Sequence, residues 1–293
     1  GQTHHIISLD SIISLATLPG KEFLLCGSSS GVVSVLDLKN RCVIQELKGH
    51  SEDIFDIRVH SKTGKTASAS GDHTIRLWDK GLGSSLSLSG HATQVFCIAF
   101  TPEGDRLISA ALDKTIRIWN TSDGTCEKIL SRQDEGDFSG VTSLCVTPNG
   151  ENLVTGFASG TIRIWNIKTG TKISDWSAHT ESVQVVKFLF DEEHLISSSS
   201  DYTIKIWDLQ NHNEIYSLVG HSGYVIDLEI LPDGKIVSGS YDGTIKFWDL
   251  GLLHNHLKQV DHHTGRVYAL QSTGSGQVIS GGEDGHIKIW STT

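Results

Sequence analysis

Hydrophobic and polar residues alternate along this chain in short bursts, with no stretch of useful length in a helical rhythm. Thr244-Ile245-Lys246-Phe247-Trp248 is a clear case. Such period-2 alternation marks a strand with one face buried. Turn signals separate the bursts. In Leu231-Pro232-Asp233-Gly234, Pro fixes φ at the second position and Gly accepts a positive φ, and Asp242-Gly243 is a strong hairpin pair. Residues 220–250 show the whole unit. It opens on Gly220-His221, runs through a strand with Val225, Leu228 and Ile230, then a second strand at 235–240. The third strand closes on Trp248, and a weaker fourth leads to the next unit. The pattern predicts almost pure β structure.

The unit recurs seven times. Its third strand closes on Leu36, Trp78, Trp119, Trp165, Trp207, Trp248 and Trp290, at spacings of 42, 41, 46, 42, 41 and 42 residues. A period of about 40–45 residues with a Trp-Asp pair and an upstream Gly-His marks a four-stranded propeller blade. The 293 residues exceed most single cores but suit seven blades in a ring. The last repeat stops at its third strand. His4-His5-Ile6-Ile7-Ser8-Leu9 aligns with outer-strand segments such as Glu214-Ile215-Tyr216-Ser217-Leu218. The N-terminal segment is therefore expected to complete the last blade and remove an open edge.

Gly49-His50, Gly90-His91, Ala178-His179, Gly220-His221 and His262-His263 mark five repeat starts. Trp78-Asp79, Trp207-Asp208 and Trp248-Asp249 are full Trp-Asp pairs, and Trp119-Asn120, Trp165-Asn166, Trp290-Ser291 and Leu36-Asp37 are variants. On these motifs the chain resembles the WD40-repeat β-propeller family over essentially its whole length. The resemblance implies an all-β, seven-bladed propeller over residues 1–293, closed by its N-terminal strand. It also implies a hydrogen-bonded network within blades, joining His, Ser, Asp and Trp. Here the matching sets are His50, Ser68, Asp72 and Trp78; His91, Ser109, Asp113 and Trp119; His179, Ser197, Asp201 and Trp207; His221, Ser238, Asp242 and Trp248; His263, Ser280, Asp284 and Trp290. Ser, His and Asp are also the residue types of a hydrolase triad. One active site does not occur five times in a ring, so the structural role is the reading adopted. The first repeat has Ser8, Cys26, Ser30 and Leu36 at these positions, and the fourth Asp137, Thr155, Ser159 and Trp165. The first network is expected to be absent and the fourth broken.

Composition narrows the function. The net charge of −10 disfavours a general nucleic-acid binder, which needs Lys and Arg against phosphates. No apolar run approaches a membrane span, and no basic-then-apolar leader opens the chain. The five cysteines, Cys26, Cys42, Cys97, Cys126 and Cys145, lack CxxC spacing, which fits a reducing, intracellular setting, cytoplasmic or nuclear. The sequon Asn120-Thr121-Ser122 is not expected to be used. There is no methionine, and the chain is expected to be a segment of a longer protein. His254, His256, His262 and His263 are a loose cluster without convergent metal-ligand spacing. No Walker loop or dinucleotide fingerprint occurs. No cofactor, metal or catalytic residue is assigned.

The resemblance implies a docking face around the channel mouth, on the side of the Gly-His loops. Its contact positions flank the first apolar residue of each innermost strand and precede the network Asp. They fall on Ser11, Ile13 and Ser29; Asp53, Phe55 and Gly71; Gln94, Phe96 and Leu112; Gly140, Thr142 and Ala158; Ser182, Gln184 and Ser200; Tyr224, Ile226 and Tyr241; Arg266, Tyr268 and Glu283. Those assigned to partner binding are Asp53, Phe55, Gln94, Phe96, Leu112, Gln184, Tyr224, Ile226, Tyr241, Arg266, Tyr268 and Glu283. Five aromatics stand among them, and interfaces concentrate energy in aromatic and Arg anchors. With Asp53 and Glu283 nearby, the mouth suits a segment carrying Arg or Lys. The alternative for each ring is packing inside the channel. The 46-residue spacing places extra residues at 131–140, an acidic loop with Phe138, which is either an interface or a solvated loop. Trp176, out of register, aligns with Leu47, Leu88, Leu218 and Val260 and reads as packing.

The leading reading is a non-enzymatic protein-interaction scaffold, a monomeric domain within a larger chain or complex, binding a peptide or partner protein. The alternatives are a substrate-recognition module, as in a ubiquitin ligase, and an enzyme with a channel-mouth site. The adaptor motif Trp-Asp-x-Arg is absent: the pairs continue as Lys80-Gly81, Leu209-Gln210 and Leu250-Gly251.

Overall fold

A computed structural model describes residues 4–20, 22–131, 140–190, 193–250, 256–260, 263–273 and 276–291. They form seven four-stranded antiparallel sheets, with no helix among the described residues. The innermost strands of blades I to VII are Ile12–Thr17, Ile54–Val59, Val95–Phe100, Val141–Val146, Val183–Phe188, Val225–Ile230 and Val267–Ser272. They pack side by side around the ring, and blade VII meets blade I. Blade VII takes its outermost strand, His4–Ser8, from the other end of the chain, paired antiparallel with His286–Ser291. The all-β, seven-bladed architecture with N-terminal closure agrees with the repeat pattern.

The core lies between blades as much as within them. Val33, Val35 and Leu47 of blade I pack with Ile54, Ile57 and Trp78 of blade II. Ile12, Leu15 and Leu36 of blade I pack with Ala269, Ile279 and Ile287 of blade VII, across the closure. Blades approach closely at their second strands. A Cβ on Gly156 would stand 2.6 Å from Val183 Cγ1, and one on Gly281 2.5 Å from Ile12 Cγ2. Neither distance is tolerable in a packed interior, so these glycines set the inter-blade spacing.

One irregularity positions the mouth. Each innermost strand shifts register against its neighbour at its second residue, between Ile12 and Ser14, Ile54 and Asp56, Val95 and Cys97, Val141 and Ser143, Val183 and Val185, Val225 and Asp227, and Val267 and Ala269. Such a bulge leaves one residue unpaired and re-aims its side chain. The skipped residues are Ile13, Phe55, Phe96, Thr142, Gln184, Ile226 and Tyr268.

Candidate functional site

The bulge residues form the upper wall of a cavity of about 840 Å³ that runs through the ring. A second repeated device fixes the positions beside them. In every blade the carbonyl before the first apolar residue accepts the backbone N–H of the residue before the relay turn. The pairs are Ser11–Ser29, Asp53–Gly71, Gln94–Leu112, Gly140–Ala158, Ser182–Ser200, Tyr224–Tyr241 and Arg266–Glu283, at 2.9 to 3.2 Å. The three positions that the sequence reading assigned in each blade are thereby brought together at the mouth.

Their side chains divide the mouth into two aromatic sectors. Phe55 and Phe96, both half-buried, meet at 4.7 Å between centroids. On blades V to VII, Tyr202, Tyr224, Tyr241 and Tyr268 form a continuous arc with successive centroids 5.9, 5.3 and 5.8 Å apart. Tyr202 was not among the sequence-derived positions. It follows Asp201 in the turn, and its φ of 72° lies in the left-handed region that bulky residues avoid. Arg266 lies 4.5 Å over the Tyr241 ring and 3.9 Å from Glu283. The mouth thus already holds one cation on an aromatic face. Burial pushes the Tyr241 phenol up. Leu112 and Tyr224 are 43% and 42% exposed, and Gln184 donates to Ser200 Oγ at 2.9 Å. Blades I and IV contribute only Ser11, Ile13, Ser29, Gly140, Thr142 and Ala158.

Five relays hold the loops beneath this face. In blade II, Trp78 Nε1 donates to Ser68 Oγ at 2.9 Å, Ser68 Oγ lies 2.9 Å from His50 Nε2, and His50 Nδ1 lies 2.8 Å from Asp72. Asp72 also accepts Ser51 N at 3.1 Å and Thr74 Oγ1 at 2.6 Å. The same Trp–Ser–His–Asp connections recur at His91, His179, His221 and His263. The Ser hydroxyl accepts from Trp and so has its own hydrogen to give. A neutral imidazole with the proton on Nδ1 takes that hydrogen at Nε2 and donates to Asp. Burial lowers the pKa of His50, His91 and His263 accordingly. Burial also opposes charge on Asp72, Asp113, Asp201, Asp242 and Asp284, yet hydrogen bonds outweigh it and each carboxyl is held below its usual range. Every relay Ser is fully buried, so no substrate reaches it.

Blade I has no relay, and its Ser28 and Ser30 hydroxyls meet at 2.8 Å. Among the described residues blade IV shows one of these bonds, Trp165 Nε1 to Thr155 Oγ1 at 2.9 Å. Asp137 and residues 132–139 of the acidic loop lie outside the described residues, as do His254 and His262. Trp176 packs edge-on to Trp207 at 6.0 Å and stacks on His212 of blade V at 4.5 Å. Cys26, Cys97 and Cys145 are held as thiols, Cys145 pushed up to about 12 by burial. Among the described residues no group of metal-ligating side chains converges.

Sequence reasoning missed the charges below the mouth. Asp56 and Arg58 of blade II, Lys187 of blade V, and Asp227 and Glu229 of blade VI all line the channel. Asp56 lies 3.0 Å from Arg58 Nε, and Glu229 lies 2.8 Å from Lys187 Nζ. The signal was present as charges at alternate positions of strands whose other residues are apolar. Asp56 and Asp227 also stitch blades, accepting Ile98 N at 2.9 Å and Leu270 N at 2.7 Å from the next blade. Ser14 and Ser143 do the same for Ile57 and Val186.

Comparison with known proteins agrees with this architecture. The family model for the WD domain, G-beta repeat, matches residues 41–79, 83–120, 212–249 and 254–291, together just over half of the chain. A model for the anaphase-promoting complex subunit 4 WD40 domain matches residues 125–191. The chain is 38% identical over 53 residues to the U3 small nucleolar RNA-associated protein 15 homolog of Xenopus laevis, covering 18% of this chain and 10% of that protein. It is 36% identical over 58 residues to the 26S proteasome regulatory subunit RPN14 of Saccharomyces cerevisiae, covering 20% and 14%. It is 33% identical over 67 residues to the NACHT domain- and WD repeat-containing protein 1 of Mus musculus, covering 23% and 4%. The matched stretches thus span only a small part of each relative. Matched repeat by repeat and closed as seven blades, the chain belongs to the WD40 repeat family.

Proposed function

We propose that this protein is a non-enzymatic interaction scaffold whose channel mouth binds an extended peptide or loop of a partner protein. The carrying observation is the arc of Tyr202, Tyr224, Tyr241 and Tyr268, aimed at the mouth by the blade VII bulge and the turns of blades V and VI. Aromatic side chains supply large contact area at low entropic cost, and a rigid ring leaves little further ordering to be done on binding. Asp53, Glu283 and the tyrosine faces favour a segment bearing Arg or Lys, the geometry that Arg266 already adopts over Tyr241. The channel mouth is read as an intracellular protein-binding surface, not one for nucleic acid or membrane. A second reading, a substrate-recognition module within a larger assembly, is favoured by the similarity to a protein named as a proteasome regulatory subunit.

Affinity purification with the intact domain beside a Phe96→Ala/Tyr268→Ala variant tests the proposal. Partners recovered with the intact domain and lost with the variant, followed by direct titration of their basic segments, are the expected result. Identical recoveries with both proteins would move the binding surface away from the mouth. A hydrolase activity abolished by Asp53→Asn would overturn the non-enzymatic reading.

A further inference from the structure

Three residues along the strands from the bulge, the channel wall carries a ring of opposed charges and small side chains. Arg58 holds the strand position that Ala16 has in blade I and Ala99 in blade III, and it lines the channel together with Ala99, Lys187 and Glu229. The hydrogen-bonding ledger of this ring is lopsided. Every carboxylate oxygen already has a donor. Asp56 takes Arg58 Nε and Ile98 N. Asp227 takes Leu228 N at 2.8 Å and Leu270 N at 2.7 Å. Glu229 takes Ser272 N at 3.1 Å and Lys187 Nζ at 2.8 Å. Lys187 also donates to the Leu228 carbonyl. Arg58 keeps the most capacity in hand, since Lys187 has two of its three N–H groups engaged. The Arg58 Nε is engaged, but neither terminal nitrogen bonds a described residue, and the side chain is 48% exposed to the channel. Unspent donors in a confined space call for an acceptor, and a guanidinium fork matches two oxygens of one anionic group.

We propose that the channel waist binds an anionic oxygen group, a phosphate or a carboxylate, across the two terminal nitrogens of Arg58, with Lys187 on the far wall. Ala99, the small residue at the matching position of blade III, lines the cavity and leaves room beside the fork. Asp56 holds the guanidinium charged, with help from Asp227 and Glu229. Burial opposes the charge on Lys187, but Glu229 and Asp227 outweigh it. The inference does not rest on the mouth reading: it concerns a deeper ring and a ligand of opposite charge.

Calorimetric titration in chloride-matched buffer tests it with two probes, inorganic phosphate for a free anion and N-acetylglutamate for a side chain carried in by a partner. Saturable binding of at least one probe is expected, and the stronger probe names the source. Arg58→Gln should weaken it at least about tenfold. Ala99→Glu, which puts a carboxylate beside the fork, should abolish it, and decides the matter should Arg58→Gln fail to fold. Phe96→Ala/Tyr268→Ala should leave it unchanged, so that failure at the mouth and failure at the waist are told apart. No saturable binding of either probe, or undiminished binding in both Arg58→Gln and Ala99→Glu, would overturn the proposal.

Discussion

Blades II, III, V, VI and VII stitch their Gly-His loop to their third-strand turn through a buried relay, whereas among the described residues blades I and IV show none. The two exceptions solve the same problem in different ways. Blade I removes the two buried polar groups of the relay. Leu36 replaces the Trp and Cys26 the Ser, both buried, so no N–H or hydroxyl is left wanting. Replacing both partners of a buried hydrogen bond by apolar groups is close to neutral, whereas removing one is costly. Blade IV keeps Trp165 and must therefore keep an acceptor, which Thr155 provides. Arg163 is packed 5.3 Å from both Phe157 and Trp165 and paired with Asp175 at 2.9 Å, adding polar anchorage from the outer side. The mouth follows the same division. Among the described residues, all the aromatics of the proposed contact positions stand on relay blades, and the two exceptions offer only small or aliphatic ones there. The relay Asp ties together the loops that bracket these contact residues, so rigid anchorage and large side chains coincide where binding is proposed.

The severest test of this contrast is at the closure. Blade I has no relay to hold it and leans on blade VII, whose outer strand is His4–Ser8. Deleting that strand exposes the edge of His286–Ser291 and opens the ring. The melting temperature is expected to fall by more than about 10 °C, read by circular dichroism. An unchanged melt would mean that the ring does not depend on its N-terminal strand.

Next in size is a matched pair of substitutions. Asp201→Ala in blade V strips acceptors from His179, Thr203 and the Thr180 amide. A cost of about 2–4 kcal/mol is expected. Ser159→Ala, at the equivalent position in blade IV, should cost within about 0.5 kcal/mol. Urea denaturation at unchanged m-value measures both. Equal costs would dissolve the distinction between the two kinds of blade.

Much of this was legible in the chain because the repeat copies itself. Seven in-phase third strands fixed the blade number, and the relay residues recur at constant offsets, so any one copy could be read from the others. The proposed contact positions came from the family resemblance, carried onto one recurring place in seven strands, and the bulge found there is one feature repeated. Tyr202, Arg58 and Lys187 were not reachable in that way. Each departs from what its sister blades carry, and only the closed ring brings Arg58 across from Lys187 and Tyr202 beside Tyr224.

Acid should separate the two classes of blade again, more gently. The folded-state pKa of His50, His91 and His263 lies below the ordinary 6.5. The folded protein therefore binds fewer protons than the unfolded chain in that window, and stability is complete above 6.5 and lost as pH falls through the folded values. The relay carboxylates, also lowered, add a second loss below 3.8. The melting temperature is expected to hold between pH 8 and 7 and to decline by several degrees toward pH 5. A flat profile across that range would show that the imidazoles are not held neutral.

The smallest effect asks whether an Asp alone makes a relay. Ser30 in blade I occupies the place of Asp72 in blade II, is exposed, and touches only Ser28 Oγ among the described side chains. Where blade II has His50, blade I has Ser8. Ser30→Asp would restore the turn carboxylate with no imidazole to bond it. If the stabilisation lies in the Trp-Ser-His-Asp chain as a unit, the variant should stay within about 0.5 kcal/mol of the parent. A gain above about 1 kcal/mol would instead assign the benefit to Asp capping its own turn, as Asp72 does for Thr74. The histidines would then owe their place to the loop they fill and not to the relay.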